Sequence, residues 1–246
     1  MKMENITIHI TPYTSAPELI FIVPYKDRLQ QRQFFIRQME YVLEDIDKKN
    51  YEIYFIHQCN DNNLNRGAMK NIGFIEMKKK YPDDYKDITF ILNDIDTMPY
   101  TKNFINYETT VGVVKHFYGF NYTLGGIVSI KGIDFEKTNG FPNFIMGGYE
   151  DNIFHNRVLQ NKLQIDRSQF YPMRDKDMLY LGNGDSNIVN NNNNNRLKKI
   201  TYGGIVNIKD LIYEVKPELC EISVTNFTTN LNNTKIRQKG KVSMLI

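Results

Sequence analysis

Two aspartates, Asp94 and Asp96, follow closely on a mainly apolar segment at 88–92 and form an Asp-Ile-Asp motif. If that segment is a buried strand, the alternation of side chains turns Ile95 into the sheet and both carboxylates toward the crevice at its end. Such a pair can hold a divalent cation against a diphosphate, because hard cations prefer oxygen ligands. A solvated turn at the end of a strand would contain the same residues, so the motif alone leaves both interpretations open.

A second acidic pair, Glu150 and Asp151, comes directly after Gly147, Gly148 and a tyrosine. Glycines allow the backbone to approach a ligand closely, and the two acids stand at the start of a predicted helix, where the helix dipole favours negative charge. They could act on a substrate or simply cap the helix. The choice between these interpretations depends on the rest of the chain.

The elements that must position these acids alternate between strands and helices. The continuous apolar run 19–23 indicates a strand buried on both faces, and further strand patterns follow at 53–56 and 88–92. Apolar residues at helical spacing between them predict one helix across 35–46 and another over 68–80. This alternation predicts an α/β fold with a mainly parallel open sheet flanked by helices, in which ligands bind beyond the carboxyl ends of the strands.

The second half of the chain carries weaker patterns. Strands are predicted at 111–114 and 126–130, and helices over 133–138 and 151–160. Two further strands are predicted within 202–213 and 222–227, after an asparagine run that is too polar to be ordered by burial.

The domain organisation follows from length and composition. The 246 residues are expected to form a single domain, with a mobile asparagine-rich loop at 182–196 and a loose C-terminal tail. The balance of 31 basic and 28 acidic residues is too even for a nucleic-acid-binding surface. No segment approaches the roughly 18 apolar residues of a membrane span. Cys59 and Cys220 lie far apart without a Cys-x-x-Cys partner, so neither a disulfide framework nor a zinc site is indicated.

Six motifs occur in one fixed order along the chain. They are Val23-Pro24-Tyr25-Lys26-Asp27-Arg28, the segment 64–74, Asp94-Ile95-Asp96-Thr97-Met98-Pro99, Gly125-Gly126-Ile127, the segment 139–143, and Glu150-Asp151-Asn152 with Asn156-Arg157. In order and spacing they resemble the beta-1,4-galactosyltransferase family, glycosyltransferase family 7. The resemblance extends over 19–157 and continues faintly into the C-terminal third. It implies a GT-A type nucleotide-sugar-binding fold, a UDP-sugar donor, a Mn²⁺ cofactor and inversion at the anomeric carbon.

The resemblance also implies roles for the residues that bind the nucleotide. Tyr25, Lys26 and Arg28 correspond to positions near the uridine and the diphosphate, and Leu64 and Arg66 to positions that close the nucleotide pocket. Arginine suits this task, because its planar guanidinium pairs with two phosphate oxygens at once.

Further roles concern the metal, the donor sugar and the acceptor. By the resemblance, Asp94 orients the donor, Asp96 binds the metal and Gly126 lies against the donor sugar. Glu150 and Asp151 hold the acceptor, and Asp151 removes the proton from its attacking hydroxyl.

Three departures from the family pattern affect the expected specificity. The chain contains no tryptophan, and its acceptor loop at 144–149 is one residue short. The family tyrosine that contacts the donor sugar falls near Tyr122 or Thr123, and a threonine there leaves room for an N-acetyl group. The second metal ligand, usually a histidine, has no counterpart beyond His155. The residues that could replace it are Met173, Asp175 and Asp177.

The sequence therefore predicts an inverting glycosyltransferase that moves a hexose, galactose or N-acetylgalactosamine, from a UDP-sugar to a hydroxyl of a carbohydrate or glycoconjugate acceptor. The alternative is a carbohydrate-binding or scaffold protein that keeps the fold without turnover. We expect no nucleic-acid partner and no membrane span. The expected location is the cytoplasm, or an unknown compartment if the chain is the soluble catalytic domain of a longer protein.

Overall fold

The computed structural model describes residues 16–143, 149–182 and 203–229. Its first strand, β1 (Leu19–Tyr25), is buried along its whole length, as the continuous apolar sequence predicts. The helices are α1 (Leu29–Val42), α2 (Arg66–Lys80), α3 (Gly132–Lys137) and α4 (Tyr149–Gln160). The other strands are β2 (Tyr51–Gln58), β3 (Thr89–Asn93), β4 (Thr97–Pro99), β5 (Val113–Gly119), β6 (Ile127–Lys131), β7 (Gln164–Asp166), β8 (Tyr171–Pro172), β9 (Met178–Tyr180), β10 (Ile208–Lys216) and β11 (Glu221–Thr229).

The main sheet has the strand order β10-β11-β2-β1-β3-β6-β5-β7, and β8 also pairs with β5. Strand β1 runs parallel to both neighbours, so that Phe21 lies opposite Ile53 on one side and Ile91 on the other. Strands β7 and β8 are parallel to β5, and β11 is parallel to β2. The antiparallel pairings are those of β6 with β3 and β5 and of β10 with β11. The predicted mainly parallel α/β sheet is therefore confirmed.

Helices cover both faces of this sheet. On one face Ile20 and Ile22 of β1 pack in a core cluster with Ile72 of α2, and on the other face Phe21 packs with Phe35 of α1. Helix α2 approaches β1 closely, because a side chain at Gly73 would overlap Ile22. Apolar side chains on alternating sides of one strand thus hold a helix on each face.

Several predicted boundaries were wrong. Helix α1 ends at Val42 rather than near 46, because the amides of Glu44 and Ile46 donate to the carbonyls three residues back, as in a turn, rather than four residues back. Strand β5 begins at Val113 rather than 111, because Gly112 adopts a φ of 90° that a strand does not accommodate. The short strands β4, β7, β8 and β9 were not predicted. The expected asparagine-rich loop and C-terminal tail fall largely outside the described residues.

A membrane-spanning helix was not expected from the sequence. Across residues 16–143, 149–182 and 203–229, no helix is both long enough and apolar enough to cross a bilayer.

Candidate active site

The predicted acidic residues meet at the carboxyl end of β3. Asp94 follows this strand, and its amide donates a hydrogen bond of 2.9 Å to the carbonyl of Gly126. The carboxylate of Asp151 lies against the neighbouring Gly125, where even a methyl group would overlap it. The amide of Leu124 donates to the Asp151 carbonyl at 3.3 Å. The glycine pair therefore joins the Asp-Ile-Asp motif to the first turn of α4.

The two glycines of this pair serve different purposes. Gly125 leaves the space that the Asp151 carboxylate occupies. Gly126 has a φ of 69°, and a side chain there would overlap the carbonyl of Tyr118. Gly126 was predicted to lie against a donor sugar, and that prediction stays open, although its backbone stands at the correct end of the sheet.

Three cationic side chains face these acids. Arg28 Nη1 lies 2.7 Å from Asp96 Oδ2, and Lys70 Nζ lies 3.0 Å from Asp94 Oδ1. The guanidinium of Arg66 is 3.7 Å from the carboxylate of Glu150, at Oε1. Charged residues that follow β1 and β3 thus form one cluster with charged residues of α2 and α4.

The charges in this cluster change the ionisation of Asp151 and Glu150. Burial raises the pKa of Asp151 well above the ordinary value for an aspartate, and the adjacent Glu150 carboxylate raises it further. Burial likewise raises the pKa of Glu150, with Arg66 acting in the opposite direction. A carboxylate with a raised pKa is a stronger proton acceptor than an exposed aspartate once it is ionised.

Asp94 responds differently from the other two acids. Burial acts against its charged form, but the ammonium of Lys70 and the guanidinium of Arg66 outweigh this effect and lower its pKa. One oxygen of Glu150, Oε2, is buried and has no hydrogen-bond partner among the residues that the structure describes. An unpaired buried acceptor of this kind is the type of atom that a ligand hydroxyl would satisfy.

The loop after β1 contributes cationic groups through a tight turn. Asp27 adopts a left-handed conformation with a φ of 54°, and the following Arg28 reaches Asp96. The ammonium of Lys26 donates to the backbone carbonyl of Asn60. Tyr25, in contrast, is 1% exposed, and its hydroxyl donates to Glu221 at 2.5 Å. The Tyr25 ring therefore packs in the core, and its place near the nucleotide stays a prediction.

The start of α2 is fixed by a set of asparagine hydrogen bonds. Asn65 caps the helix by accepting a bond of 2.9 Å from the amide of Ala68. Its side-chain amide donates to the carbonyl of Asn143, and Asn71 donates to the side chain of the same residue at 2.9 Å. Gly67 leaves no room for a side chain against the carbonyl of Pro142. These contacts hold Arg66 and its helix against the segment that leads to α4.

Leu64 was predicted to close the nucleotide pocket. It lies just before α2, and its half-buried side chain packs against the core cluster that includes Ile20. Its position beside Arg66 is compatible with that role, which stays a prediction.

The residues considered for the metal each have hydrogen-bond partners of their own. Asp96 is 10% exposed at its side chain, and its second oxygen accepts a bond of 3.3 Å from the Thr97 hydroxyl. Met173 accepts from the hydroxyl of Tyr118 at 3.2 Å, and Asp175 accepts from the amide of Asp177 at 2.9 Å. Among the described residues, no group of three or more His, Cys, Asp and Glu could hold a metal ion. Asp96 offers a hard carboxylate oxygen, which pairs with the guanidinium of Arg28 in this structure.

Three residues at or near the site were not predicted from the sequence. Lys70 stands one turn after Arg66 in α2, and this spacing could have placed it on the same helix face. Tyr180 lies opposite Thr97 in the short β4–β9 pair, and the next amide, of Leu181, donates to the Asp96 carbonyl at 2.7 Å. No local sequence signal marks a pairing between strands so far apart.

The third residue, His116, contacts the backbone of the glycine pair at Gly125. Its Nδ1 accepts a hydrogen bond of 3.1 Å from Arg167, so the proton resides on Nε2, which faces the carbonyls of Tyr118 and Gly125. Burial lowers the pKa of His116 to about 4, which keeps the ring neutral near pH 7. The imidazole thus fixes the backbone against which the Asp151 carboxylate lies.

Comparison with known proteins places this arrangement in a family. Residues 9–108 match the N-terminal region of glycosyl transferase group 7, and residues 109–180 match the N-terminal domain of galactosyltransferase. A xylosylprotein 4-beta-galactosyltransferase of Caenorhabditis elegans is 29% identical over 163 residues, which are 63% of this chain and 54% of that protein. The beta-1,4-galactosyltransferase 1 of Mus musculus is 28% identical, over 62% of this chain and 39% of its own length. The chain thus spans about half or less of these relatives.

A solved structure shares the fold. A mutant Drosophila beta-1,4-galactosyltransferase 7, in complex with manganese, UDP-Gal and xylobiose, superposes with a TM-score of 0.66 and 18% identity. The match covers 87% of this chain and 94% of that one, and it confirms the expected GT-A type fold. Because the two family matches are contiguous and together span more than half of the sequence, the chain belongs to the beta-1,4-galactosyltransferase family, glycosyltransferase group 7.

Proposed function

We propose that this chain is an inverting glycosyltransferase that moves galactose from UDP-galactose to a hydroxyl of a carbohydrate acceptor. The observation that carries the proposal is the position of the Asp151 carboxylate, which lies over Gly125 beside the Asp94 and Asp96 segment. The proposed proton acceptor and the proposed diphosphate-binding motif thus both contact one backbone dipeptide, Gly125-Gly126. A single displacement at an anomeric carbon requires these two functions on opposite sides of the sugar.

The transfer itself is a simple exchange of bonds. The acceptor oxygen forms a bond to the anomeric carbon of the donor sugar while the bond from that carbon to the diphosphate oxygen breaks. Asp151 takes the proton from the acceptor hydroxyl, and UDP leaves with the electron pair of the broken bond. Because the raised pKa of Asp151 brings its basicity closer to neutral pH, the carboxylate suits this role.

In this proposal, cationic side chains offset the negative charge of the leaving group. Arg28 and Lys26 stand after β1, where the diphosphate would lie, and Arg66 adds a third cation at the start of α2. Asp96 would hold manganese together with the phosphate oxygens, and the bound ion would offset the negative charge that develops on UDP. The Drosophila relative contains manganese and UDP-Gal, which supports this assignment by similarity.

The acceptor would occupy the side of the site formed by α4. The unpaired buried oxygen of Glu150 suits a sugar hydroxyl donor, and this hydrogen bond would bring a second hydroxyl toward Asp151. Phe120 and Tyr122 stack at 5.4 Å and are exposed in the loop before Gly125. Exposed aromatic rings of this kind bind the apolar face of a sugar ring.

The donor sugar is proposed to be galactose, with N-acetylgalactosamine as the alternative. Thr123 is 5% exposed, and its hydroxyl donates to the carbonyl of Phe120 at 3.2 Å. If Thr123 rather than Tyr122 occupies the position of the family tyrosine, its smaller side chain leaves room for an N-acetyl group. The alternative sugar therefore has to be included in any test.

A donor screen tests the proposal. Purified protein is incubated with UDP-galactose, UDP-N-acetylgalactosamine, UDP-glucose and UDP-N-acetylglucosamine, each with manganese and with xyloside or N-acetylglucosaminide acceptors. Released UDP and the mass of the product measure transfer, and the anomeric configuration of the product reports inversion. We expect transfer from UDP-galactose above the other donors. UDP binding without transfer or hydrolysis for any donor would instead favour a carbohydrate-binding or scaffold protein.

A further inference from the structure

Lys70 is a buried cation to which the proposed transfer assigns no task. Its side chain is 1% exposed, and its ammonium lies 3.0 Å from Asp94 Oδ1. Burying an ammonium group is unfavourable unless opposite charges accompany it, and removing one partner of a buried ion pair is strongly destabilising. A lysine in this position therefore calls for an explanation beyond the packing of α2.

The surroundings of Lys70 hold its ammonium in one place. The group lies 4.8 Å from the centre of the Phe141 ring, a cation–π arrangement. The next residue, Asn71, bonds to both the amide and the carbonyl of Phe141, at 2.9 and 2.8 Å. Because these bonds fix helix α2 against Phe141, the charge of Lys70 is positioned before any ligand arrives.

The backbone then connects Lys70 with Asp151. Its partner Asp94 is bonded through its amide to Gly126, and the Asp151 carboxylate lies against Gly125. The Asp94 backbone and the Asp151 carboxylate thus contact the same dipeptide, and Lys70 pairs with the side chain of Asp94. Since water is excluded from Lys70, its field reaches these carboxylates with little screening.

We propose that Lys70 is a positioning residue of the transfer reaction, an internal cation that holds the negative charge of Asp151 in place over Gly125. The proposal rests on the proposed function, because it assigns Asp151 the role of base. Asp94 serves as the direct partner of Lys70 and keeps its ammonium at this point. The helix that supplies Arg66 to the cluster would therefore also set the charge state of the base.

Charges from three elements face Asp151. Burial raises its pKa, and so do the carboxylates of Glu150 on α4 and Asp94 after β3, whereas Lys70 and Arg66 on α2 lower it. Arg66 is 35% exposed and pairs with Glu150, so solvent screens it more strongly than it screens Lys70. Replacing Lys70 with a neutral residue should therefore raise the pKa of Asp151 further.

The test compares wild-type protein with Lys70→Met, which keeps the length of the side chain and removes its charge. The carboxyl carbon of Asp151, assigned with Asp151→Asn, is titrated by NMR in the protein without substrate. We expect the titration midpoint to rise by about one pH unit or more in Lys70→Met, since a near opposite charge shifts a carboxyl by roughly 1–3 units. The acidic limb of the pH profile of kcat/KM should move in the same direction.

Two variants serve as controls. Lys70→Arg keeps the charge and should retain the wild-type midpoint. Lys79→Met removes an exposed lysine from the same helix, one that pairs with Glu76 at 3.7 Å, and should change neither midpoint nor limb. If Lys70 had a purely structural role, Lys70→Met would lower activity at every pH without shifting the acidic limb of the kcat/KM profile.

The outcomes separate the two proposals. An unchanged Asp151 midpoint in folded Lys70→Met overturns the role of Lys70. If that variant does not fold, Lys70→Met combined with Asp94→Asn is compared with Asp94→Asn alone, since the double variant removes both charges of the Lys70–Asp94 pair. Absence of transfer by wild-type protein would contradict the proposed function, while the carboxyl titration would still decide whether Lys70 controls Asp151.

Discussion

Arg28 Nη1 lies 2.7 Å from Asp96 Oδ2, so the arginine after β1 already pairs with the carboxylate after β3. A diphosphate would attract Arg28, and a divalent cation would attract Asp96. Each ligand therefore has to break the same ion pair, and the first to bind frees the residue that the second one needs. We expect the nucleotide and the metal to favour each other's binding.

The first prediction concerns this coupling. Manganese should bind at least about tenfold more tightly in the presence of UDP, within the usual range of coupling between sites. In Arg28→Met, manganese should bind more tightly than in wild-type protein when UDP is absent, and UDP more weakly. Calorimetric titration measures both affinities, with the exposed Arg37→Met as the matched control. Equal manganese affinity with and without UDP would show that other residues supply the metal ligands.

The second prediction concerns the proposed base. Asp151→Asn keeps the shape of the side chain but cannot accept the proton, so turnover should fall by about a hundredfold or more. UDP affinity and the melting temperature should stay near the wild-type values. Asp83→Asn, an exposed change after α2, is the control. Wild-type turnover in Asp151→Asn would show that another residue acts as the base.

The third prediction concerns the contact between Gly125 and Asp151. An alanine at position 125 would overlap the Asp151 carboxylate, which can rotate away at little expense because it is the end of a side chain. Gly125→Ala should therefore lower kcat by at least about tenfold, since small displacements of a catalytic group reduce the rate strongly. Steady-state kinetics and UDP titration would check this prediction. A variant with full activity would show that the carboxylate does not act from this position.

The fourth prediction concerns the buried carboxylate of Glu221. It accepts bonds from Tyr25 at 2.5 Å and from Ser223 at 2.6 Å, and Arg32 lies 3.8 Å away. Burial alone would raise its pKa, but the bonds from Ser223 and Tyr25 and the charges of His57 and Arg32 outweigh it and lower the pKa. The ionised group thus stabilises the fold above about pH 4.5, the ordinary glutamate value, and this contribution is lost as the pH falls through the folded-state pKa.

Glu221→Gln tests this pH dependence. The variant should have a lower free energy of unfolding than wild-type protein at pH 7, and the difference should shrink as the pH falls below about 4.5. Urea unfolding at a series of pH values measures it, with the exposed Glu218→Gln as the control. A difference that stays constant with pH would show that the charge of Glu221 contributes nothing to stability.

The parts of the fold that local sequence determines were the ones predicted correctly. Strand β1 and helix α2 carry strong apolar patterns, and their types follow from period and length alone. The pairing of β4 with β9 joins residues about eighty positions apart, and strands of three residues have no period to detect. Tertiary contacts, which no window of sequence contains, decide such elements.

The site was predicted in a similar way. Asp94, Asp96, Glu150 and Asp151 were found because their spacing matches family motifs, and the structure brings them to one end of the sheet. Lys70 was missed because a lysine in a helix is usually solvated, and only the fold buries it beside Asp94. The direction of the Tyr25 ring depends on Glu221, which lies almost two hundred residues later.

The strand after the matched segments has a practical consequence for protein production. Strand β11 pairs in parallel with β2, and it contributes the fully buried Ile222 and Val224 to the core. A protein shortened to residue 180, where the second family match ends, would leave β2 with an unpaired backbone edge and an uncovered apolar surface. Open edges of this kind recruit strands from other molecules. Expression should therefore extend at least through Thr229 to obtain soluble protein.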